Sequence, residues 1–342
     1  MRPTWTPRLP GLPLLHPGRF VSALQVILLA ALFSGCAQQP TTLTANTHLP
    51  SRAQIDGLPF FPQLEDQCGP ASLATVLSAN GVDVTPEQLR DKVYIPDKQG
   101  SLTTEMIARA RRYGMLAYPV SPDLATLLGE VAAGHPVLVL QNLSFSLMPR
   151  WHFSVITGYN LDDATIIERS GDQQQMVTPV SLFEKTWGRA DRWAYVVLPS
   201  TQLPADVSVD TLMSAASDLE QVGETEAAYN VYTSTINQWP EQAPAYFGQG
   251  NSAFGSGRYQ QAIAAFSRYL ELQPHAASGW NNLAYSLMMN NCAAEAVIAV
   301  ECALELAPED DNIAHSAAEI SLHPGQQSGA GQCAIPECPA VF

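Results

Sequence analysis

The residues best suited to chemistry lie in two short stretches. The first is "DQCGPASLA", residues 66–74, whose Cys68 stands on the threshold of a helix, and the second is "RWHFSVITGYN", residues 150–160, in which His152 opens a strand-like run. The thiolate is the nucleophilic form of cysteine, and the unpaired N–H groups and dipole of a helix N-terminus favour that anion. A cysteine nucleophile also needs an imidazole to exchange its proton, a group to orient the imidazole, and a donor for the oxyanion. Of the seven histidines, His16 and His48 lie in the N-terminal segment, His275, His315 and His323 in the C-terminal part, and His135 precedes Pro136 as turn chemistry. His152 is left at the start of a strand, where a side chain can be delivered to a cleft. The competing reading is a half-buried strand histidine satisfied by a backbone bond.

These residues need elements to hold them. A helix is expected from about Ala71 to Ala79, with Cys68 just ahead of it, and a second from about Leu102 to Tyr113. "HPVLVLQNL", "HFSVITGYN", "TIIERSG" and "WAYVVLP" are rich in β-branched and aromatic residues and bounded by Gly, Asn and Asp, so they read as strands of a mostly antiparallel sheet. Helices followed by strands is an α+β order. Glu105, Arg109, Arg111 and Arg112 read as a solvated, salt-bridged helix face. Trp151, Trp187 and Trp193 read as core and are given no role.

After Pro199 the pattern changes. Pro240, Pro274 and Pro308 recur every 34 residues, and so do Ala228, Ala262 and Ala296. That period is the spacing of the tetratricopeptide repeat, two antiparallel helices per unit. Leu212, Tyr246 and Trp280 then open the first helices, Ala216, Gly250 and Ala284 take the close-approach position, and Tyr232, Phe266 and Val300 face the second-helix packing. Glu309 to Leu322 supplies the helix that closes the stack.

The N-terminal segment carries Arg2, Arg8 and Arg19, then the uncharged run "FVSALQVILLAALFSGC", the layout of an export signal. Its end, "FSGC", resembles the lipobox of bacterial lipoproteins and implies lipid on Cys36, with Phe33 a departure from the usual smaller aliphatic. Ala37 after the cysteine implies the outer membrane. The expected organisation is signal 1–36, tether 37–55, an enzymatic domain 56–200, repeats 207–322 and a tail 323–342. The net charge of −15, with no basic run, excludes a nucleic-acid partner. Cys292, Cys302, Cys333 and Cys338 allow three disulfide pairings, which could staple the tail to the last repeat in an oxidising compartment. Packing in the repeat core is an equal reading of Cys302, and no histidine stands at ligand spacing for a metal.

"QLEDQCGPASLATVLSANG" followed by "HFSVITGYN" resembles the papain-like peptidases of cysteine peptidase family thirty-nine, which process bacteriocin leaders at double-glycine sites; the likeness covers roughly Leu58 to Pro199. It implies a papain-like α+β fold with Cys68 as nucleophile, His152 as general base and acid, and an upstream glutamine that shares the oxyanion with the Cys68 backbone N–H. Two places depart from the family pattern. The usual glutamine position is Pro62, so Gln63 is the candidate, ahead of Gln67. In place of the usual aspartate followed by proline stands "IIERSG", where Glu168 is the candidate orienter and Asn160 and Asp162 are alternatives. The expectation is a lipid-anchored cysteine peptidase on the periplasmic face, needing no cofactor, whose repeats recruit a substrate or partner protein. The alternative is an inactive peptidase-fold scaffold.

Overall fold

A computed structural model describes residues 49–63, 67–98, 100–322 and 333–340. The expected signal, Cys36 and the tether up to His48 lie outside the described residues. The described residues form one compact unit.

The N-terminal half is an antiparallel sheet with helices on both faces. Its path runs β4 (Met115–Pro119), β9 (Ala194–Pro199), β5 (Val137–Asn142), β6 (Trp151–Asn160), β7 (Thr165–Ser170) and β8 (Gln173–Pro179), with β1 (Arg52–Gln54) also paired to β6. The period-two alternation of strand side chains divides the core. On one face Leu138, Phe153, Val155 and Val197 pack against helix α1 (Cys68–Ala79) and its neighbours α2 (Pro86–Val93) and α3 (Thr103–Arg111). On the other, Val137, Val139, Ile156 and Val196 meet α4 (Leu124–Ala132) and α5 (Val180–Gly188). A short hairpin, β2 (Tyr94–Ile95) with β3 (Gly100–Ser101), lies between α2 and α3.

Helix α1 carries no charged residue and is buried from Gly69 through Leu77. A helix apolar on every side is stable only as a central element. Leu73, Val76 and Leu77 are each fully buried, worth about 1.5–3 kcal/mol apiece. At its C-terminal end, the Asn80 amide donates to Val76 O of the helix and Val197 O of β9, both at 2.8 Å, which fixes the helix axis against the sheet.

Residues 52–55, expected in the tether, belong instead to the sheet. β1 lies beside Gly158–Asn160 where β5 no longer reaches, and Ile55 N donates to Thr157 O at 2.8 Å. A Cβ on Gly158 would stand 2.8 Å from Ala53 O, so glycine in "VITGYN" admits this extra strand. Only three residues long and mostly polar, β1 has too little apolar pattern to read as a strand.

The C-terminal half pairs α6 (Val209–Gln221) with α7 (Thr225–Gln238), α8 (Ala243–Gly255) with α9 (Tyr259–Leu272) and α10 (Ala277–Met289) with α11 (Ala293–Leu306), closed by α12 (Asp311–Ser321). The 34-residue period has a physical cause visible twice over. Tyr246 Oη donates to Pro240 O at 3.1 Å and Trp280 Nε1 to Pro274 O at 2.8 Å, so each aromatic opener ties back to the proline closing the preceding unit. A Cβ on Gly250 would meet the Phe266 ring at 2.6 Å, which makes it a close-approach position.

The two halves share one core. Leu212, Ala216 and Leu219 of α6 and Val231 of α7 join Leu116, Tyr118 and Val196 of the sheet. Ser208 N donates to Tyr118 Oη at 2.8 Å, and buried Glu130 of α4 accepts N–H bonds from Ala205 and Asp206 of the connecting segment. Arg111, expected on a solvated face, pairs with Asp218 of α6. The repeats are therefore welded to the sheet, not hung from it.

Cys292 pairs with Cys333 and Cys302 with Cys338, which pins residues 333–340 to the last repeat. Each bond closes a long loop, so replacing Cys302 and Cys338 by Ser should lower stability by about 2–4 kcal/mol, measured as a loss in chemical-denaturation midpoint. An unchanged midpoint would mean that the tail contributes nothing to the repeat stack.

Candidate active site

Cys68 is the first residue of α1, earlier than the Ala71 start expected from sequence, and Gln67 is the cap. The thiol thus belongs to the first turn, where the backbone N–H groups of Cys68 and Gly69 have no acceptor within the helix. Pro70 fits the next position because that residue needs no N–H partner, and Ala71 N closes the turn on Gln67 O at 3.0 Å. A side chain at Gly69 would collide with Ser101 of β3, which explains the glycine after the cysteine. Cys68 stands outside both disulfides and is half-buried.

The first turns of α1 are bolted to the histidine strand. Ser72, one turn beyond Cys68 on the same helix face, donates from Oγ to Phe153 O at 3.1 Å. Gln63 Nε2 donates to the same carbonyl and to Ser72 Oγ, each at 3.2 Å. Phe153 follows His152 in β6, so the start of α1 lies against the segment of β6 that carries the histidine.

These bonds correct the expected role of Gln63. Both N–H groups of its amide are engaged, and its Oε1 accepts from Gly171 N at 3.1 Å while Gln63 N donates to Gly171 O at 2.8 Å. Gln63 joins α1, β6 and the β7–β8 turn.

His152 is the second residue of β6, opposite Gln141. Its Nε2 lies 2.7 Å from Ser170 Oγ. Burial, with a smaller contribution from the positive charge of Arg150, lowers its pKa from the ordinary 6.5 to about 4. The ring is therefore neutral above about pH 4. A histidine depressed in the fold loses stability as pH falls from 6.5 toward 4, because the unfolded chain takes up the proton first.

Glu168 is not the orienter. Its carboxylate is completely buried and accepts from Gln141 Nε2 at 2.8 Å, Ser154 Oγ at 2.7 Å and Thr178 Oγ1 at 2.7 Å. Thr186 Oγ1 extends this network through Gln141 Oε1 at 2.7 Å. Glu168 is a structural acid joining β5, β6, β7 and β8. Asn160 and Asp162, the alternatives, bond to each other's turn at the far end of β6. Ser170, two residues beyond Glu168 in β7, is the residue that meets the imidazole. Counting residues from His152 pointed to the acid two positions short of this serine.

Residues 50–195 match the Peptidase C39-like family, and residues 214–277 and 247–311 match tetratricopeptide repeats. Among solved structures, a C39-like peptidase from Bacillus anthracis is 17% identical with a TM-score of 0.37, over 43% of this chain and 97% of that one. A double-glycine-motif protease from an AMS/PCAT transporter, solved in complex with the leader peptide, is 22% identical with a TM-score of 0.32, over 43% and 92%. The double mutant of MamA RS-1 is 16% identical with a TM-score of 0.32, over 33% of this chain and 64% of its own. Scores this low assign no residue role. No curated protein matches. The chain carries a C39-like peptidase domain, α+β in class, followed by tetratricopeptide repeats.

Ser170 offers the imidazole a hydroxyl, which holds the ring without stabilising its cation as a carboxylate does. Ser170→Asp should therefore raise the His152 pKa from about 4 toward or above 6.5, read from the ring carbon shifts by NMR titration. A titration that Ser170→Asp leaves unmoved would show that Ser170 does not touch the ring in solution.

Proposed function

We propose that the protein is a lipid-anchored cysteine peptidase of the cell envelope, facing the periplasm from the outer membrane, that cleaves a peptide bond by acyl transfer through Cys68. The observation that supports this reading is the shared Phe153 carbonyl, which ties the thiol-bearing turn of α1 to the segment of β6 that carries His152. With Nε2–H donating to Ser170, Nδ1 of the neutral ring holds the lone pair and takes the proton of the Cys68 thiol. The sulfur attacks the scissile carbonyl, the oxyanion is met by backbone N–H groups of the first turn of α1, and the imidazolium returns its proton to the leaving amine. Water, activated by the same nitrogen, then hydrolyses the thioester. The low basicity of the buried ring favours this stepwise proton transfer over a standing thiolate–imidazolium pair.

The two cystines support the export half of the reading, since such bonds persist in oxidising compartments. Lipid on Cys36 would tether the domain through residues 37–48. The repeats, held rigidly against the sheet, recruit a protein substrate or partner at a fixed distance from the site. The second reading, an inactive peptidase-fold scaffold, is favoured by the hydroxyl at Ser170 in place of an acid.

A mixture of envelope peptides incubated with the protein and read by mass spectrometry separates the two. New termini should form with wild type, be absent with Cys68→Ala and form about 10²–10⁴-fold more slowly with His152→Ala. Identical peptide maps for wild type and Cys68→Ala would establish the scaffold.

A further inference from the structure

The turn between β5 and β6 presents apolar side chains that nothing in the fold covers. Phe145 is 76% exposed, Leu147 96% and Met148 78%, with Leu143 and Trp151 half out of the protein at the base. This is not a loose segment. Asn142 Oδ1 accepts from Ser144 N and Arg150 N at 3.0 Å, Leu143 N donates to Arg150 O at 2.9 Å, and Met148 N donates to Phe145 O at 3.1 Å. Arg189, the C-cap of α5, steadies the base by donating to Ser144 O at 2.9 Å. The backbone is satisfied within the hairpin while its large apolar side chains point to solvent, which marks an interaction surface.

We infer that this hairpin tip inserts into the interfacial layer of a phospholipid membrane. The inference rests on the membrane-anchoring half of the proposed function and not on catalysis. Three observations choose a bilayer as the occupant. The tip is convex, whereas sites for peptides and small ligands are concave. From Gln141 to Asn160 the sole charged residue is Arg150, although the chain as a whole carries −15. Arg150, Arg189 and Trp151 ring the base, and guanidinium and indole groups are the side chains that settle among headgroups while an apolar tip enters the acyl boundary. The length of chain ahead of the sheet agrees: twelve residues lie between Cys36 and Leu49, a reach of at most roughly 45 Å. The chain enters the sheet beside Asn160, at the other end of the 10-residue β6 from the tip, a span of roughly 30 Å that the reach of the tether exceeds, so a lipid on Cys36 lets the tip meet the membrane that holds it. Insertion would give the anchored domain a second attachment and hold the mouth of the site, which begins one residue after Trp151, at a set height above the lipid.

The test uses the full lipidated chain in vesicles of plain or brominated phosphatidylcholine with one part in four phosphatidylglycerol. Floatation reports anchoring, and bromine quenching of indole fluorescence reports depth. The expected result is that the chain floats, that bromine quenches its emission, and that the quenching disappears both in Trp151→Phe and in a Phe145→Asp, Leu147→Asp double variant that keeps Trp151. Floating with equal emission in the two vesicle types overturns the inference while leaving the anchor intact. Failure to float overturns the anchor and the inference together. Shielding of Trp151 from aqueous iodide by a soluble peptide, with no quenching by brominated lipid, assigns the tip to a protein partner and also overturns it. The Cys68 cleavage reaction is read separately in each case, so a failed peptidase reading is distinguishable from a failed membrane reading.

Discussion

One backbone carbonyl, that of Phe153, holds the arrangement together. It accepts from Ser72 of the buried helix and from Gln63 of the segment leading to that helix. A sheet carbonyl that turns from its neighbouring strand to side-chain donors must be satisfied elsewhere, because a buried C=O without a partner is costly. Meeting that requirement forces the N-terminus of α1 against the start of β6. Asn80 does the same at the other end of the helix, on Val197 O of β9. The helix is thus fixed at both ends by side-chain bonds and along its length by apolar burial, and the thiol at its first residue inherits that position.

The chemistry of the site follows from what surrounds it. The imidazole is pressed into a place where its cation is disfavoured by burial and by Arg150, and the group that orients it is a hydroxyl. The acid nearest in sequence is committed to a different task. Glu168 accepts three side-chain bonds across four strands, and a carboxylate so engaged maintains the sheet on the face opposite α1. Separating the structural acid from the imidazole leaves a base that is neutral over the whole physiological range, suited to accept a proton and weakly suited to keep it.

Much of this was legible from residues alone. Cys68 at a helix start, His152 at a strand start, four strands and the 34-residue repeat were read from patterns that local physics imposes: capping, two-residue alternation and the aromatic-to-proline ties between repeats. Two of the missed elements have weak local signatures. β1 is three residues of mostly polar chain, and β8 is polar over its first three residues because that end of the edge strand is exposed. Ser170 and the clamp role of Gln63 depend on contacts with residues 18 and 90 positions away, neither of which leaves a periodic trace. The Arg111–Asp218 tie was missed for a similar reason, since a charged helix face looks alike whether it meets water or a second domain.

The central claim is that Cys68 and His152 act as one chemical unit. It is tested most directly by the rate at which iodoacetamide alkylates Cys68 in wild type and in His152→Ala, followed from about pH 4 to about pH 9 against the ordinary thiol pKa of about 8.5. The four remaining cysteines of the described residues are held in cystines and do not compete. The account predicts that wild-type Cys68 reacts near neutral pH faster than an ordinary thiol and that His152→Ala slows it by removing the base that takes the thiol proton, leaving only the contribution of the helix N-terminus. A wild-type profile that follows an ordinary thiol and is unchanged by His152→Ala would contradict it.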